Sequence, residues 1–183
     1  MSAHHRRRRR QRGERGASAV EFGLLAPVLF LLLFGIIDYG IWFADSISAR
    51  QAVRDSARRA VVEDFGPGCT STNTPPTGPP TDLQKLSCAV ESSMGQISGS
   101  TRVRVSVATG PSSPTGGTWA AGAVLRVCAM TQHSSLLPMV PLPNSGISVT
   151  RVDMPIERAT AGANHGQVYE PGAFPGATWA FCP

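Results

Sequence analysis

Phe22 to Ile37 reads FGLLAPVLFLLLFGII, an uncharged apolar run of sixteen residues. After one carboxylate, Asp38, apolar character resumes through Tyr39-Gly40-Ile41-Trp42-Phe43-Ala44. The interval 22–44 would form a helix of about 35 Å at 1.5 Å per residue. That is enough to cross a hydrocarbon layer of about 30 Å. In this position Asp38 is expected near the outer boundary, where a carboxylate reaches headgroups or water. Tyr39 and Trp42 suit an interfacial aromatic belt.

Charge orients the span. Residues 1–16 hold seven arginines (Arg6 to Arg10, Arg12 and Arg15) and one acid, Glu14. The other residues carry 10 basic against 11 acidic side chains, so the net charge of +5 belongs to the arm alone. A near-neutral body argues against a nucleic-acid partner. A basic arm before the span puts the N-terminus in the cytoplasm and residues 45–183 outside.

Three fates fit such a segment: a leader cut at its N-terminal edge, an uncleaved signal anchor, or a secretory peptide cut near Ala44-Asp45-Ser46. An ordinary secretory core is shorter than this one. Glu21 separates the readings further, because a carboxylate at the mouth of an apolar span is costly and tends to be functional. Gly16-Ala17-Ser18-Ala19-Val20-Glu21-Phe22 resembles the type IV prepilin processing site. In that site cleavage follows Gly and Glu is the fifth mature residue. Cutting after Gly16 would leave a protonated amine on Ala17. Within a bundle of helices that amine and a neighbouring subunit's Glu21 would offset each other's burial.

The resemblance widens to the TadE-like family. It runs through Glu21-Phe22-Gly23-Leu24-Leu25-Ala26-Pro27, Gly35-Ile36-Ile37-Asp38-Tyr39-Gly40, and Gln51-Ala52-Val53-Arg54-Asp55-Ser56-Ala57-Arg58-Arg59-Ala60. It is strong over about residues 13–65 and weak beyond, apart from Met154-Pro155-Ile156-Glu157-Arg158. The family implies a minor pilin or pseudopilin of a tight-adherence (Tad/Flp) pilus. It would sit in the bacterial cytoplasmic membrane as a single-pass protein matured by a prepilin peptidase. Its partners would be the lipid bilayer, other pilins or pseudopilins, and Tad inner-membrane assembly proteins. The resemblance makes Gly16 and Ala17 the processing site and Glu21 and Phe22 the assembly residues.

The division expected is a leader over 1–16, a spanning helix over 17–44, a helical extension over 45–65, and a head over 66–183. Ala49, Ala52, Val53, Ala57, Ala60 and Val61 recur at three- and four-residue steps, so the helix should continue outward with this face packed. Arg50, Arg54 and Arg58 would line the solvated face, with Asp55 able to pair with Arg59 one turn on. Pro27 should kink the helix, and Gly66-Pro67-Gly68 should stop it.

Gly and Pro are concentrated beyond residue 65. Thr81 and Gln84 form a candidate capping box before an amphipathic helix bearing Leu83, Leu86, Val90 and Met94. Strands are expected over 102–107, 123–130 and 147–152, with Val103, Val105 and Val107 on one face. Pro155 confines the last strand to an edge or an end. The class is α+β: a long N-terminal transmembrane helix with a small antiparallel-sheet, pilin-like head.

Cys69, Cys88, Cys128 and Cys182 all follow the span, and none has metal-ligand spacing. An even number on the outer side favours two disulfides. Cys69–Cys88 would close the Pro/Thr loop, and Cys128–Cys182 would pin the C-terminal tail with Trp179 and Phe181. His133 and His165 lie in loop-like sequence with no carboxylate at a telling spacing, and Ser134 and Ser135 beside His133 make no nucleophile arrangement. No phosphate loop follows a strand. Neither an enzyme nor a cofactor is expected.

Overall fold

The structure, a computed structural model, describes residues 4–66, 80–94, 99–111, 113, 115–135, 141–160 and 163–183, with side chains described from residue 16 onward. One helix, α1 (His4–Ala60), makes the stalk and runs through Pro27. The rest forms α2 (Asp82–Ser93), β1 (Ser100–Ala108), β2 (Val124–Gln132), β3 (Ile147–Pro155) and the short β4 (Val168–Tyr169). The four strands make an antiparallel sheet in the order β3-β2-β1-β4. This is the expected α+β architecture, a long apolar helix with a small antiparallel head.

The upper half of α1 packs because of its small-residue stripe. Ala49, Ala52, Val53, Ala57 and Ala60 are buried, whereas Arg50, Arg54 and Arg58 on the opposite face are exposed. Small side chains let the helix axis approach the sheet closely. Arg59 pairs with Asp55 at 2.9 Å, as their spacing predicts.

The helix ends six residues before the expected Gly66. Asp64 N–H bonds to Arg59 O and Glu63 N–H to Ala60 O, while Glu63 takes φ 68°. That is a Schellman closure with a glutamate where glycine is usual. The strained residue is held from outside: Thr160 donates both its N–H and its hydroxyl to the Glu63 carboxylate. Those bonds hold Glu63 below the usual carboxylate range.

α2 begins on the expected capping box. Gln84 N–H bonds to Thr81 Oγ1 at 3.3 Å, and Thr81 N–H bonds to Gln84 Oε1 at 2.8 Å. Its Leu83, Leu86, Val90 and C-capping Met94 join the buried stripe of α1 against one face of the sheet. That face carries Val103, Val105 and Val107 of β1, with Leu125, Val127 and Ala129 of β2.

The opposite face is not solvated, as strict alternation in β1 suggests. The C-terminal tail lies across it in a second cluster of Cys128, Met130, Ile147, Phe174, Trp179 and Cys182. The tail has little regular structure, so its carbonyls need donors from elsewhere. Arginines of the sheet supply them. Arg102 reaches Gly172 O and Ala173 O and lies 4.7 Å over the Phe174 ring. Arg104 reaches Cys182 O. Arg126, fully buried, donates to Pro183 O, Ser113 O and Pro111 O and pairs with Asp153 at 3.3 Å.

Cys128 and Cys182 are disulfide-bonded, the pairing expected. Cys88 is also disulfide-bonded. Cys69 lies outside the described residues, and with it the expected Cys69–Cys88 loop. β3 is an edge strand ending at Pro155, in keeping with a residue that cannot donate to the ladder.

Candidate functional site at the junction of helix and head

α1 divides into two lengths by burial. From Gly16 to Ile37 its side chains stay outside the head: the apolar window is 0% buried, with mean hydropathy 2.5. The length 17–37 is about 31 Å, close to one hydrocarbon layer. Gly16, Ala17, Glu21 and Phe22 all lie on this free length and are exposed. Glu21 stands about 25 Å along the axis from Asp38, so the fold brings none of these residues to the head. Among the described residues no head side chain comes near Glu21.

Head contact begins at Asp38, sooner than the apolar sequence ends. Asp38 is fully buried rather than facing headgroups or water. Ser135 donates its hydroxyl to Asp38 Oδ2 at 2.6 Å. His133 Nε2 stands 3.6 Å from Asp38 Oδ1, and its Nδ1 stands 3.8 Å from Asp45 Oδ2. Tyr39 closes the same region by donating to Pro141 O at 2.7 Å. Two turns separate Asp38 from Asp45, so both carboxylates share the face that continues as Ala49, Ala52 and Val53.

His133 is carried there by the end of β2. Its N–H bonds to Gly146 O at 3.0 Å, tying it to the turn before β3. That turn is unusual, with Asn144, Ser145 and Gly146 all at positive φ. A β-carbon at Gly146 would come within 2.9 Å of His133 O, so both conformation and contact require glycine.

A second histidine closes the other end of the stalk. His165 Nδ1 lies 3.0 Å from Asp82 Oδ2, and Nε2 lies 3.7 Å from Glu63 Oε1. Its ring stacks on Trp119 at 4.7 Å between centroids and meets Phe65 at 5.7 Å. Each histidine therefore faces two carboxylates, at opposite ends of the head-bearing length of α1. The Ser135 hydroxyl is committed to Asp38, so this cluster ties the end of β2 to the stalk.

Neither histidine cluster was expected from the sequence, because each is assembled across 80 residues or more. The available signal was the seven-residue step from Asp38 to Asp45. It falls in phase with the alanine stripe and so marks a buried face.

Residues 16–58 match the family described as TadE-like protein. No curated protein and no solved structure matches the chain. The matched length takes in the free part of α1 and nearly all of its head-packing face. That family is one of pilus-associated structural proteins, not of enzymes. Over residues 16–58 the chain is therefore similar to TadE-like proteins, and the helix of that match bears a head that the match does not cover.

Proposed function

We propose that this chain is a minor pilin-like subunit, a pseudopilin, of a Tad/Flp-type pilus assembly. In this reading a prepilin peptidase removes residues 1–16, Ala17 to Ile37 remain in the cytoplasmic membrane, and the head stands outside it. The observation that carries it is that the family match begins at Gly16 and head packing begins at Asp38, about one membrane thickness further along the helix.

Glu21 then serves assembly. It is exposed on the free helix, where burial in a bundle would leave it needing the Ala17 amine of a neighbour. The span is apolar enough to insert without it, so Glu21→Ala should reach the membrane at the wild-type level. It should be lost from sheared pili and from complexes with the other minor pilins. Removing one partner of a buried pair costs about 3–5 kcal/mol, enough to exclude a subunit. Normal incorporation of Glu21→Ala at matched membrane abundance would refute the role.

A further inference from the structure

β3 is an open edge of the sheet. His133 N–H bonds to Gly146 O just below the strand, and Ile156 N–H bonds to Ala123 O just above it. Pairing alternates along an antiparallel ladder. Ser148, Thr150, Val152 and Met154, in step with residues 146 and 156, therefore turn their backbone toward β2. Val149, Arg151 and Asp153 turn theirs outward, where no strand lies among the described residues. Below them Asn144 Nδ2 donates to the Ile147 carbonyl at 3.1 Å, and Pro155 ends the row above. We propose that this edge binds an extended peptide strand of a partner protein, with an apolar side chain in the groove beside β3 and a carboxylate on Arg50. The site belongs to the head and is the same whether or not residues 1–16 are removed.

The groove, of about 300 Å³, lies between the stalk and the lower end of β3, with Phe43, Ile47 and Arg50 on one side and Ser148 and Val149 on the other. A strand laid outside β3 would send every second side chain to the face that α1 covers, and so into this groove. Phe43 and Ile47 are 56% and 53% exposed. They stand about 9 and 15 Å beyond Ile37 along the helix, clear of the hydrocarbon, so lipid does not cover them. A free edge for main-chain bonds, beside a pocket for alternate side chains, is the arrangement by which extended peptides are bound.

The partner's chemistry follows from the order of residues along the groove. Arg50 is exposed and stands about 5 Å above Ile47 and 10 Å above Phe43. Side chains on one face of a strand are about 7 Å apart, so an apolar residue against Phe43 and Ile47 brings the next on that face to Arg50. Arg54 and Arg58 continue the basic series upward, which favours a carboxylate there over an amine. The edge is also unguarded. Native edges are kept from pairing by charges that project from them. Here Arg151 bonds to Asp153 at 3.0 Å, and Asp153 meets Arg126, all on the face under the tail. A second copy fits less well. β3 runs the same way as α1, from the level of Trp42 to that of Val61. Two β3 strands paired antiparallel would therefore point their stalks in opposite directions, which a common membrane forbids.

Amide hydrogen exchange at residue resolution, on the full chain in detergent micelles, tests this. The probe is a blocked heptapeptide, Thr-Glu-Thr-Val-Thr-Glu-Thr, whose symmetry suits either strand direction. Without it Val149, Arg151 and Asp153 should exchange fast, and Thr150 and Val152 slowly. Saturating peptide should slow the first three by about tenfold or more. Lysine in place of both peptide glutamates should weaken binding about fivefold, the weight of one exposed ion pair. Arg50→Gln should abolish that difference. The peptide N-methylated at its threonines should protect nothing, because those amides face β3. Val149→Pro removes an outward donor at an edge position that tolerates proline. It should melt within a few degrees of wild type and bind the peptide about tenfold more weakly. No slowing at millimolar peptide, or equal slowing by the methylated peptide, overturns the proposal. Slowing that grows with protein concentration and needs no peptide would overturn it in favour of self-association. Normal pilus incorporation of Glu21→Ala would refute the assembly role of Glu21 and leave this outcome untouched.

Discussion

Arg126 shows how much one residue carries in this head. It is fully buried in the middle strand, and its guanidinium meets Asp153 and three backbone carbonyls. A buried charge persists only when it is paired and hydrogen-bonded. Asp153 answers it and is itself perturbed. Burial pushes its carboxyl up, but hydrogen bonds from Arg151 and Arg126, with the charges of both, hold it below the usual carboxylate range. A depressed carboxylate contributes stability that is complete above the unfolded value of about 3.9 and is lost as pH falls through the folded one. The melting temperature of the head should therefore be level from pH 7 to about pH 5 and fall below about pH 4. Asp153→Asn should lower stability at neutral pH by about 3 kcal/mol, because it leaves Arg126 short of its partner. It should also flatten the acid limb. Thermal melts across that range, wild type against variant, check both; an unchanged acid limb would contradict this account.

Among the elements, the C-terminal tail depends most on contacts made outside itself. Its backbone has few ladder bonds of its own and rests on the sheet through Phe174, Trp179, the Cys128–Cys182 disulfide and the three arginines. The disulfide closes a sequence separation of 54 residues. In the chain-entropy treatment a loop of that length is worth about 4 kcal/mol. Cys128→Ser with Cys182→Ser should thus cost about 2–5 kcal/mol. It should also expose the tail to limited proteolysis sooner than α1 or α2. A tail no more sensitive than in wild type would show that the arginine bonds and the aromatic contacts suffice. The two histidine clusters act likewise at the level of elements, since each lies between carboxylates that the backbone brings from distant parts of the chain.

For the whole molecule, the division of α1 is decisive. Its lower length is apolar on all sides and exposed, as expected of a helix surrounded by lipid. Its upper length is amphipathic and carries the head. Maturation would trim the lower length to one membrane thickness. Intact-mass measurement on natively expressed protein should find residues 1–16 missing, and Gly16→Val should remain at precursor mass. A chain beginning near Ile47 would instead establish a secreted head, and a chain retaining its arm would establish an uncleaved anchor.

The sequence by itself determined the elements whose signals are local. An apolar run, an alanine stripe at helical steps, a capping box at Thr81 and alternating valines in β1 are patterns within a dozen residues, and periodicity reads them directly. It also identified the Cys128–Cys182 partnership, since a tail ending in Trp179, Phe181 and Cys182 needs a tether. The TadE-like resemblance was legible too, because its residues are contiguous. What only the tertiary structure decided depends on chain segments far apart meeting. Asp38 reads as a boundary carboxylate until the end of β2 covers it with His133 and Ser135. Arg102, Arg104 and Arg126 read as the wet side of a strand until the tail crosses that face and needs donors. The groove beneath β3 has no sequence signature, because half of its wall comes from the stalk and half from the head about a hundred residues later, and only their packing makes a cavity.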